Sequence, residues 1–229
     1  MFKKPLLRSE AIVLSITPYG ERDAIAKIFT KDRGLLPFFF KNAYASKKST
    51  HLESLTHVEI VYQEGGGSFF SAKEITVLNL FLKLRDNYEA LMASFDAAKA
   101  LLVSELPEKS SPDLFDLFSC YLAKMHTVLD PWILAASFRL KILCHEGILT
   151  ISPYCRDCDE ELKKSYLQNG ELLCLNCKDS EGAFIFNEEE TPLLNTLVNC
   201  QSFLEVKQLT LPSHWKQLIP QIFLERINL

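Results

Sequence analysis

The stretch AIVLSITPYGERDAIAKIFTKDRGLLPFFF, residues 11–40, decides the fold of the first part of the chain. It holds three short runs rich in β-branched and aromatic residues, which favour strands: residues 11–16, 23–29 and 35–40. Two turn signals separate them, Thr17-Pro-Tyr-Gly20 and Asp32-Arg-Gly34. The first contains a proline that presets φ, and both end in a conformationally permissive glycine. The pattern predicts three consecutive strands joined by tight turns.

Two more strands are predicted before residue 80. Residues 55–63 (LTHVEIVYQ) alternate apolar and polar side chains, and a flexible loop at Gly65-Gly66-Gly67 leads to a returning strand at residues 68–75. Five short strands joined by brief turns fit a small closed barrel such as an OB-fold. A small SH3-like barrel is the structural alternative.

Beyond residue 80 the apolar residues recur with a period near 3.6, which indicates helices. Residues 87–106 place Leu91, Phe95, Ala98 and Leu102 on one stripe. Further helices are predicted from Ser111-Pro112, from Asp130-Pro131, after Asn187 and from Ser213. We expect the first three helices to pack as an antiparallel bundle. Gly147 should stop the third helix, and Pro220 should bend or end the last one.

Four cysteines have the spacing of a metal site. Cys155-Arg-Asp-Cys158 and Cys174-Leu-Asn-Cys177 are two C-x2-C pairs with fifteen residues between them, and Asn169-Gly170 between them is a hairpin turn signal. Four thiolates can complete a tetrahedron around one structural zinc ion and leave no open position for water. The alternative is two unrelated thiol pairs. Core packing is expected for the remaining thiols, Cys120, Cys144 and Cys200.

These patterns together predict an α+β protein. An N-terminal OB-fold barrel occupies residues 1–80, and a helical domain occupies residues 81–229 with a four-cysteine zinc ribbon inserted at residues 151–180. The order of elements is therefore a small β-barrel followed by helices.

Composition excludes several classes of protein. The chain has 229 residues and a formal charge of −4, and no run of about 18 apolar residues that would span a bilayer. Its basic start lacks a small-residue cleavage site, so we expect the start of the fold rather than a signal peptide, and a cytoplasmic protein with reduced thiols. No G-x-x-x-x-G-K-[ST] loop, G-x-S-x-G elbow or H-E-x-x-H helix is present. The sequence therefore predicts a binding protein rather than an enzyme.

Charge is unevenly distributed along the chain. Residues 1–50 carry ten Lys+Arg and four acids, a net +6, whereas residues 51–229 carry a net −10. A basic front on an acidic chain is typical of a polyanion-binding module, although a solvated basic face is the alternative. The candidate phosphate contacts are Arg22, Lys27, Lys31, Arg33, Lys41, Lys47 and Lys48. Phe39 or Tyr44 is a candidate platform for a nucleic-acid base.

The order of motifs resembles that of a known family. The opening strand at residues 11–14 precedes Gly20-Glu-Arg-Asp23, then Phe29-Thr30 and Gly34, and a basic segment follows at residues 41–49. The helix at residues 138–147 then leads to Cys155–Cys158, and the second cysteine pair follows. Over roughly residues 5–180 the chain resembles the RecO family of bacterial DNA repair proteins.

The resemblance implies a function as well as a fold. Such proteins bind single- and double-stranded DNA, anneal complementary strands, and act with RecR in the RecF pathway at the nucleoid. They engage the acidic C-terminal tail of the single-stranded DNA-binding protein and help load RecA, with no cofactor beyond zinc. Lys124, Arg139 and Lys141 are cations within apolar helices that could frame a groove for this tail; ordinary solvated helix positions are the alternative. The alternative function is an OB-fold and zinc-ribbon module for RNA binding or ribosome assembly.

Overall fold

The computed structural model describes residues 5–43, 52–65, 67–105, 108–179 and 182–227. The chain forms two compact units, Met1–Ala123 and Lys124–Leu229. Three residues that the sequence nominates for nucleic-acid contacts, Tyr44, Lys47 and Lys48, lie outside the described residues. The domain boundary between residues 80 and 81 stays a prediction.

The first unit is built on a closed five-strand barrel, which confirms the predicted fold class. The strands are β1 (Leu7–Tyr19), β2 (Asp23–Thr30), β3 (Gly34–Phe40), β4 (His57–Glu64) and β5 (Phe70–Asn79). Their order around the barrel is β1-β2-β3-β5-β4, and β1 returns to pair with β4. Neighbours are antiparallel except β3 and β5, which meet in parallel at Phe38 and Phe70. This is the arrangement of an OB-fold barrel.

Alternation along the strands separates the barrel core from its outer surface. In β2, Ala24, Ala26 and Ile28 are buried, while Lys27 is exposed. Aromatic rings fill one side of the core, because Phe38 lies 5.4 Å from Tyr62 and 5.8 Å from Phe70 between ring centroids. Edge-to-face and tilted pairs at such distances add to the stabilisation from burial alone.

The first predicted turn lies three residues later than expected. Strand β1 continues through Pro18 to Tyr19, where Tyr19 pairs with Asp23, and the turn occupies Gly20–Arg22. Proline is tolerated near a strand end, where few ladder hydrogen bonds are lost. The proline signal therefore marked the approach to the turn rather than the turn itself.

Three helices follow the barrel: α1 (Leu82–Arg85), α2 (Tyr88–Ser104) and α3 (Pro112–Lys124). Asn87 caps α2 by accepting a hydrogen bond from the Ala90 amide at 3.1 Å. The stripe predicted on α2 is only partly buried, since Ala98 is buried, Leu91 and Leu102 are half-buried and Phe95 is exposed. The buried face of α2 consists mainly of alanines, which allow close approach of its backbone. Periodicity identified residues that share a face but not which face is buried.

Helix α3 and the segment before it cover one end of the barrel. The Phe115 ring lies 5.8 Å from the ring of Phe29 and 5.8 Å from that of His57. At the turn into β3, Gly34 has φ +65°, and a Cβ built there would lie 1.9 Å from the Lys109 carbonyl oxygen. The close approach of these two backbones requires glycine at this position.

The second unit contains three longer helices and a small sheet. Its elements are a 3-10 turn (Met125–Thr127), α4 (Pro131–His145), β6 (Ser165–Gln168), β7 (Glu171–Leu173), β8 (Phe184–Phe186), α5 (Glu190–Asn199) and α6 (Trp215–Ile227). As predicted, Asp130 caps α4, and Gly147 follows its end with φ +71°. Helix α4 packs on α5 and α6. The predicted bundle of α2, α3 and α4 would join helices of both units and stays a prediction. Pro220 lies inside α6 without ending it.

Hydrogen bonds of Asn187 and Glu190 join the end of β8 to α5 and α6. The Asn187 amide donates to Glu190 Oε2 at 2.9 Å, and the Glu190 amide donates to Asn187 Oδ1 at 3.0 Å, which forms a capping box. Glu190 Oε1 also accepts from Trp215 Nε1 at 3.1 Å, and the Trp215 ring lies 5.4 Å from Phe186.

No helix in the part of the chain that the structure describes has the length and apolar run needed to cross a bilayer.

We expect Gly34→Ala to destabilise the protein far more than Gly20→Ala. Both glycines have φ +65°, but nothing lies within 4 Å of a Cβ at Gly20. Gly20→Ala should therefore cost only the backbone strain, about 1 kcal/mol, while Gly34→Ala adds the clash with Lys109. Thermal and urea unfolding of both variants measure the difference. Equal losses of stability would show that the close approach of Gly34 to Lys109 is unimportant.

Candidate nucleic-acid interface and metal centre

Three aromatic side chains form a strip on the outer surface of the barrel. The Phe39 ring lies 5.9 Å from Tyr19 and 6.1 Å from Phe69, edge-to-face and tilted respectively. Tyr19 is 57% exposed at the end of β1, and Phe69 lies just before β5. In β3, Phe38 points into the core and Phe39 therefore points outward, as strand alternation predicts. Tyr19 is exposed, whereas Phe39 and Phe69 are half-buried, so part of the ring surface is open for an unstacked base to stack on.

Three of the predicted cations lie near this strip. One is on the outer face of β2, and two are at the end of the barrel where Tyr19 and Phe39 lie. In β2, Ile25 pairs with Phe39 of β3. Lys27 is two residues after Ile25 and therefore lies on the same face of β2. Arg22 lies in the β1–β2 turn, and Lys41 directly follows β3. All three are exposed, and none forms an ion pair with another of the described residues. They are available to contact phosphates.

The cations at the other end of the barrel already have acidic partners. Lys31 Nζ contacts Asp116 Oδ1 at 2.7 Å and lies 5.9 Å from the centre of the Phe115 ring. Arg33 forms an ion pair with Glu108, and its guanidinium lies 5.3 Å from the centre of the Phe70 ring. Hydrogen bonding to Asp116 raises the pKa of Lys31. The structure thus separates the predicted cations into an open group near the aromatic strip and a paired group beneath α3.

Sequence reasoning missed two members of the aromatic strip, Tyr19 and Phe69. The sequence predicts a turn at Tyr19, whereas extension of β1 through Pro18 puts this residue at a strand end beside the outer face. It predicts Phe69 in a returning strand and indicates no binding role for it. The adjacent pair Phe69-Phe70 carried a usable signal, because within the predicted strand at residues 68–75 successive side chains point to opposite faces.

The four predicted metal ligands come together in the second unit. The sulfur atoms of Cys155, Cys158, Cys174 and Cys177 all lie within 4.8 Å of one another, and Cys158 and Cys174 are 3.8 Å apart. Four sulfurs at about 2.3 Å from a tetrahedral zinc ion would be about 3.8 Å apart. The donor type, number and spacing therefore fit a divalent metal such as zinc.

The hairpin predicted at Asn169-Gly170 explains how the two cysteine pairs meet. Asn169 and Gly170 have φ +51° and +84°, as in a type I′ turn, and they join β6 to β7. The Arg156 amide then donates to the Leu172 carbonyl at 3.0 Å, which holds the first cysteine pair against β7. The second pair begins directly after β7, at Cys174.

Without a cation the four thiols cannot all ionise together. Burial opposes ionisation of Cys155, but the amides of Cys174, Cys158 and Asp157 hydrogen-bond to its sulfur and lower its pKa to about 6. The pKa of Cys177 is raised because its thiol hydrogen-bonds with those of Cys174 and Cys158. A bound divalent cation would compensate the charge of four thiolates. These residues would hold the metal as a closed structural centre.

The three remaining cysteines are less buried than the sequence suggests. Cys120 is exposed on α3, so the prediction of core packing is wrong for this residue. Cys144 and Cys200 are half-buried, and burial raises the pKa of Cys144 to about 11. The apolar neighbours of Cys120 in sequence belong to the opposite face of α3, which is the face that covers the barrel.

The predicted partner-binding cations do not form one surface. Arg139 is buried in α4, its guanidinium lies 5.9 Å from the centre of the Phe223 ring, and burial lowers its pKa to about 10. Lys141 Nζ donates to the Cys200 carbonyl at 2.8 Å, at the end of α5. Lys124 is exposed at the end of α3. A role for these residues in peptide binding stays a prediction.

Known families match both parts of the chain. The family described as "Recombination protein O N terminal" matches residues 3–81, and "Recombination protein O C terminal" matches residues 85–222. Among curated proteins, the DNA repair protein RecO of Chlamydia muridarum is 31% identical over 200 residues, which cover 85% of this chain and 84% of that protein. The DNA repair protein RecO of Thermodesulfovibrio yellowstonii is 29% identical over 176 residues, 75% of this chain and 70% of that protein.

We expect Cys174→Ser to abolish metal binding, because it removes one of the four sulfur ligands of the closed centre. The measurement is the zinc content per chain after purification under reducing conditions and dialysis against a weak chelator. The parent should retain one zinc ion per chain. Cys120→Ser is the matched control and should retain the same amount. A parent chain without zinc, or a Cys174→Ser chain that keeps it, would contradict the assignment.

Proposed function

The chain belongs to the RecO family of DNA repair proteins, and on that premise we propose that it binds single- and double-stranded DNA and anneals complementary strands. The observation that carries the proposal is the combination of an outward aromatic strip with exposed, unpaired cations on the same OB-fold surface. The β2–β3 face and neighbouring loops are where OB-fold barrels bind oligonucleotides.

Each component of this surface supports one part of DNA binding. Tyr19, Phe39 and Phe69 stack on bases of a single strand, and such stacking contributes about 1–3 kcal/mol per base. Lys27, Arg22 and Lys41 contact phosphates and release condensed counterions. In a duplex the bases are already stacked and paired, so duplex DNA uses only the phosphate contacts. We therefore expect single strands to bind more tightly than duplexes.

Annealing follows from charge neutralisation at this surface. Two complementary strands repel each other, and cations that displace counterions reduce this repulsion while the bases search for register. Lys47 and Lys48 stay proposed phosphate contacts. No bond is made or broken by the protein in this process, so we propose no catalytic residue.

The family premise also supplies the expected partners. We propose that the chain acts with RecR, engages the acidic tail of the single-stranded DNA-binding protein, and helps load RecA in the RecF pathway at the bacterial nucleoid. Lys124, as an exposed cation, remains available for an acidic tail, whereas the burial of Arg139 supports an interior role for that residue. Zinc bound by the four cysteines would stiffen the second unit. Membership of a DNA repair family does not favour an RNA-binding or ribosome-assembly role.

The proposed activity is tested by strand annealing. Complementary DNA strands and complementary RNA strands of the same sequence are mixed with the protein at two salt concentrations, with and without the single-stranded DNA-binding protein. We expect faster annealing of DNA than of RNA, and a smaller acceleration at the higher salt because phosphate contacts weaken. Equal acceleration of RNA would support the alternative function, and no acceleration of either would contradict the proposal.

Lys27→Ala and Lys31→Ala should affect DNA binding differently. Lys27 is unpaired on the open surface, so its removal should lower the slope of log affinity against log salt by about 0.7 for single-stranded DNA. Lys31 is held by Asp116, so Lys31→Ala should leave this slope nearly unchanged. Fluorescence anisotropy with labelled oligothymidine at several salt concentrations measures both. The reverse order of effects would place the interface beneath α3 instead.

A further inference from the structure

Two cations at the β2–β3 turn face carboxylates from a later part of the first unit. Lys31 Nζ lies 2.7 Å and 3.0 Å from the two carboxylate oxygens of Asp116, and Arg33 forms an ion pair with Glu108. Both acids belong to residues 108–116 (EKSSPDLFD), which carry three acids and one lysine, a net −2. We call these nine residues the acidic segment.

The acidic segment is held on the barrel by contacts that do not involve these charges. The Phe115 side chain is buried, and its ring lies 5.8 Å from that of Phe29. The Glu108 amide donates to the Leu35 carbonyl at 3.3 Å, and Glu108 has φ +62°, a conformation that few residues other than glycine adopt. Packing and backbone hydrogen bonding therefore fix the two carboxylates beside the cations, whether or not the ion pairs form.

The two cations are likewise positioned by more than their acidic partners. Lys31 Nζ lies 5.9 Å from the centre of the Phe115 ring, and the Arg33 guanidinium lies 5.3 Å from the centre of the Phe70 ring. Aromatic faces attract cations at such distances. The side chains of Lys31 and Arg33 are 34% and 31% exposed. Without the two acidic charges, both cations would stay at the turn and be reachable from solvent.

This pair of cations continues the surface proposed to bind DNA. Lys27 is exposed on β2, and Lys31 is four residues further along the chain, directly after β2. The distance along the strand is about 13 Å. Lysine and arginine bind carboxylate and phosphate oxygens with the same donors. The carboxylates of Asp116 and Glu108 therefore lie where phosphates of a strand that follows β2 would bind.

We propose that Lys31 and Arg33 form a second phosphate-binding site for single-stranded DNA, and that Asp116 and Glu108 occupy this site and keep DNA from it. The inference rests on the proposed function, in which DNA binds to the open surface around Lys27. The acidic segment acts as an autoinhibitory contact, because its fixed negative charges repel phosphates at the turn. The chain's own carboxylates thus limit its affinity for DNA.

Neutralising the two carboxylates in the full chain tests the proposal. Glu108→Gln combined with Asp116→Asn keeps the side-chain shapes and removes both charges. In fluorescence anisotropy with labelled oligothymidine, this variant should bind more tightly than the parent. Its slope of log affinity against log salt should steepen by about 1.4, because each of two added phosphate contacts contributes about 0.7. Adding Lys31→Ala and Arg33→Ala to the variant should return the slope to that of the parent.

The matched control removes two negative charges elsewhere in the first unit. Glu74→Gln combined with Asp113→Asn changes exposed acids that form no ion pair with another residue the structure describes, and Asp113 belongs to the acidic segment itself. This control should leave the salt slope nearly unchanged. Exposed ion pairs contribute little to stability, so all variants should fold, and thermal unfolding checks this. If the Glu108→Gln and Asp116→Asn combination does not fold, Asp116→Asn alone decides, with an expected steepening of about 0.7.

The outcomes separate this inference from the proposed function. Equal steepening in the control would show that overall charge is responsible and would overturn the inference alone. An unchanged or shallower slope after neutralisation, with normal DNA binding by the parent, would also overturn it while leaving the open surface as the binding site. Failure of both parent and variant to bind DNA would overturn the proposed function and this inference together.

Discussion

The parallel contact between β3 and β5 at Phe38 and Phe70 determines which side chains form the proposed DNA-binding surface of the first unit. This contact closes the barrel and seats both rings in the core beside Tyr62. Because successive strand residues alternate, burial of Phe38 turns Phe39 outward. Burial of Phe70 leaves the preceding residue, Phe69, beside Phe39. The closure of the barrel and the formation of an outer aromatic pair are thus consequences of the same register.

The two ends of the barrel differ in whether their cations have acidic partners. At the β2–β3 turn, Lys31 and Arg33 form ion pairs with Asp116 and Glu108, and Phe115 packs on Phe29, so this end is occupied by the chain itself. At the opposite end, the cations near Phe39 have no acidic partner among the described residues. Charge counted over residues 1–50 includes both groups equally, and only the tertiary fold separates them. In the second unit the hairpin at Asn169 and Gly170 brings the two cysteine pairs together.

Local signals predicted the parts of the fold that depend on local chemistry. The five strands, the cap at Asp130, the stop at Gly147 and the four-cysteine cluster follow from turn, capping and metal-ligand chemistry within a few residues. Features that depend on contacts distant in sequence were not predictable in this way. The packing of alanines determines which face of α2 is buried. Lys31 pairs with Asp116, which is 85 positions away in sequence, and Arg139 is buried against α6. The same limit applies to Tyr19, whose proposed role depends on its distance from Phe39, two strands away in the barrel.

The central claim is that single-stranded DNA lies across the aromatic strip of the barrel. The most direct measurement is photocrosslinking of oligothymidine substituted with bromouracil, followed by mass spectrometric assignment of the linked residues. The account predicts crosslinks at Tyr19, Phe39 or Phe69, which should disappear on competition with unlabelled single strands. Crosslinks confined to Phe115 and its neighbours in α3, or to the second unit, would contradict it.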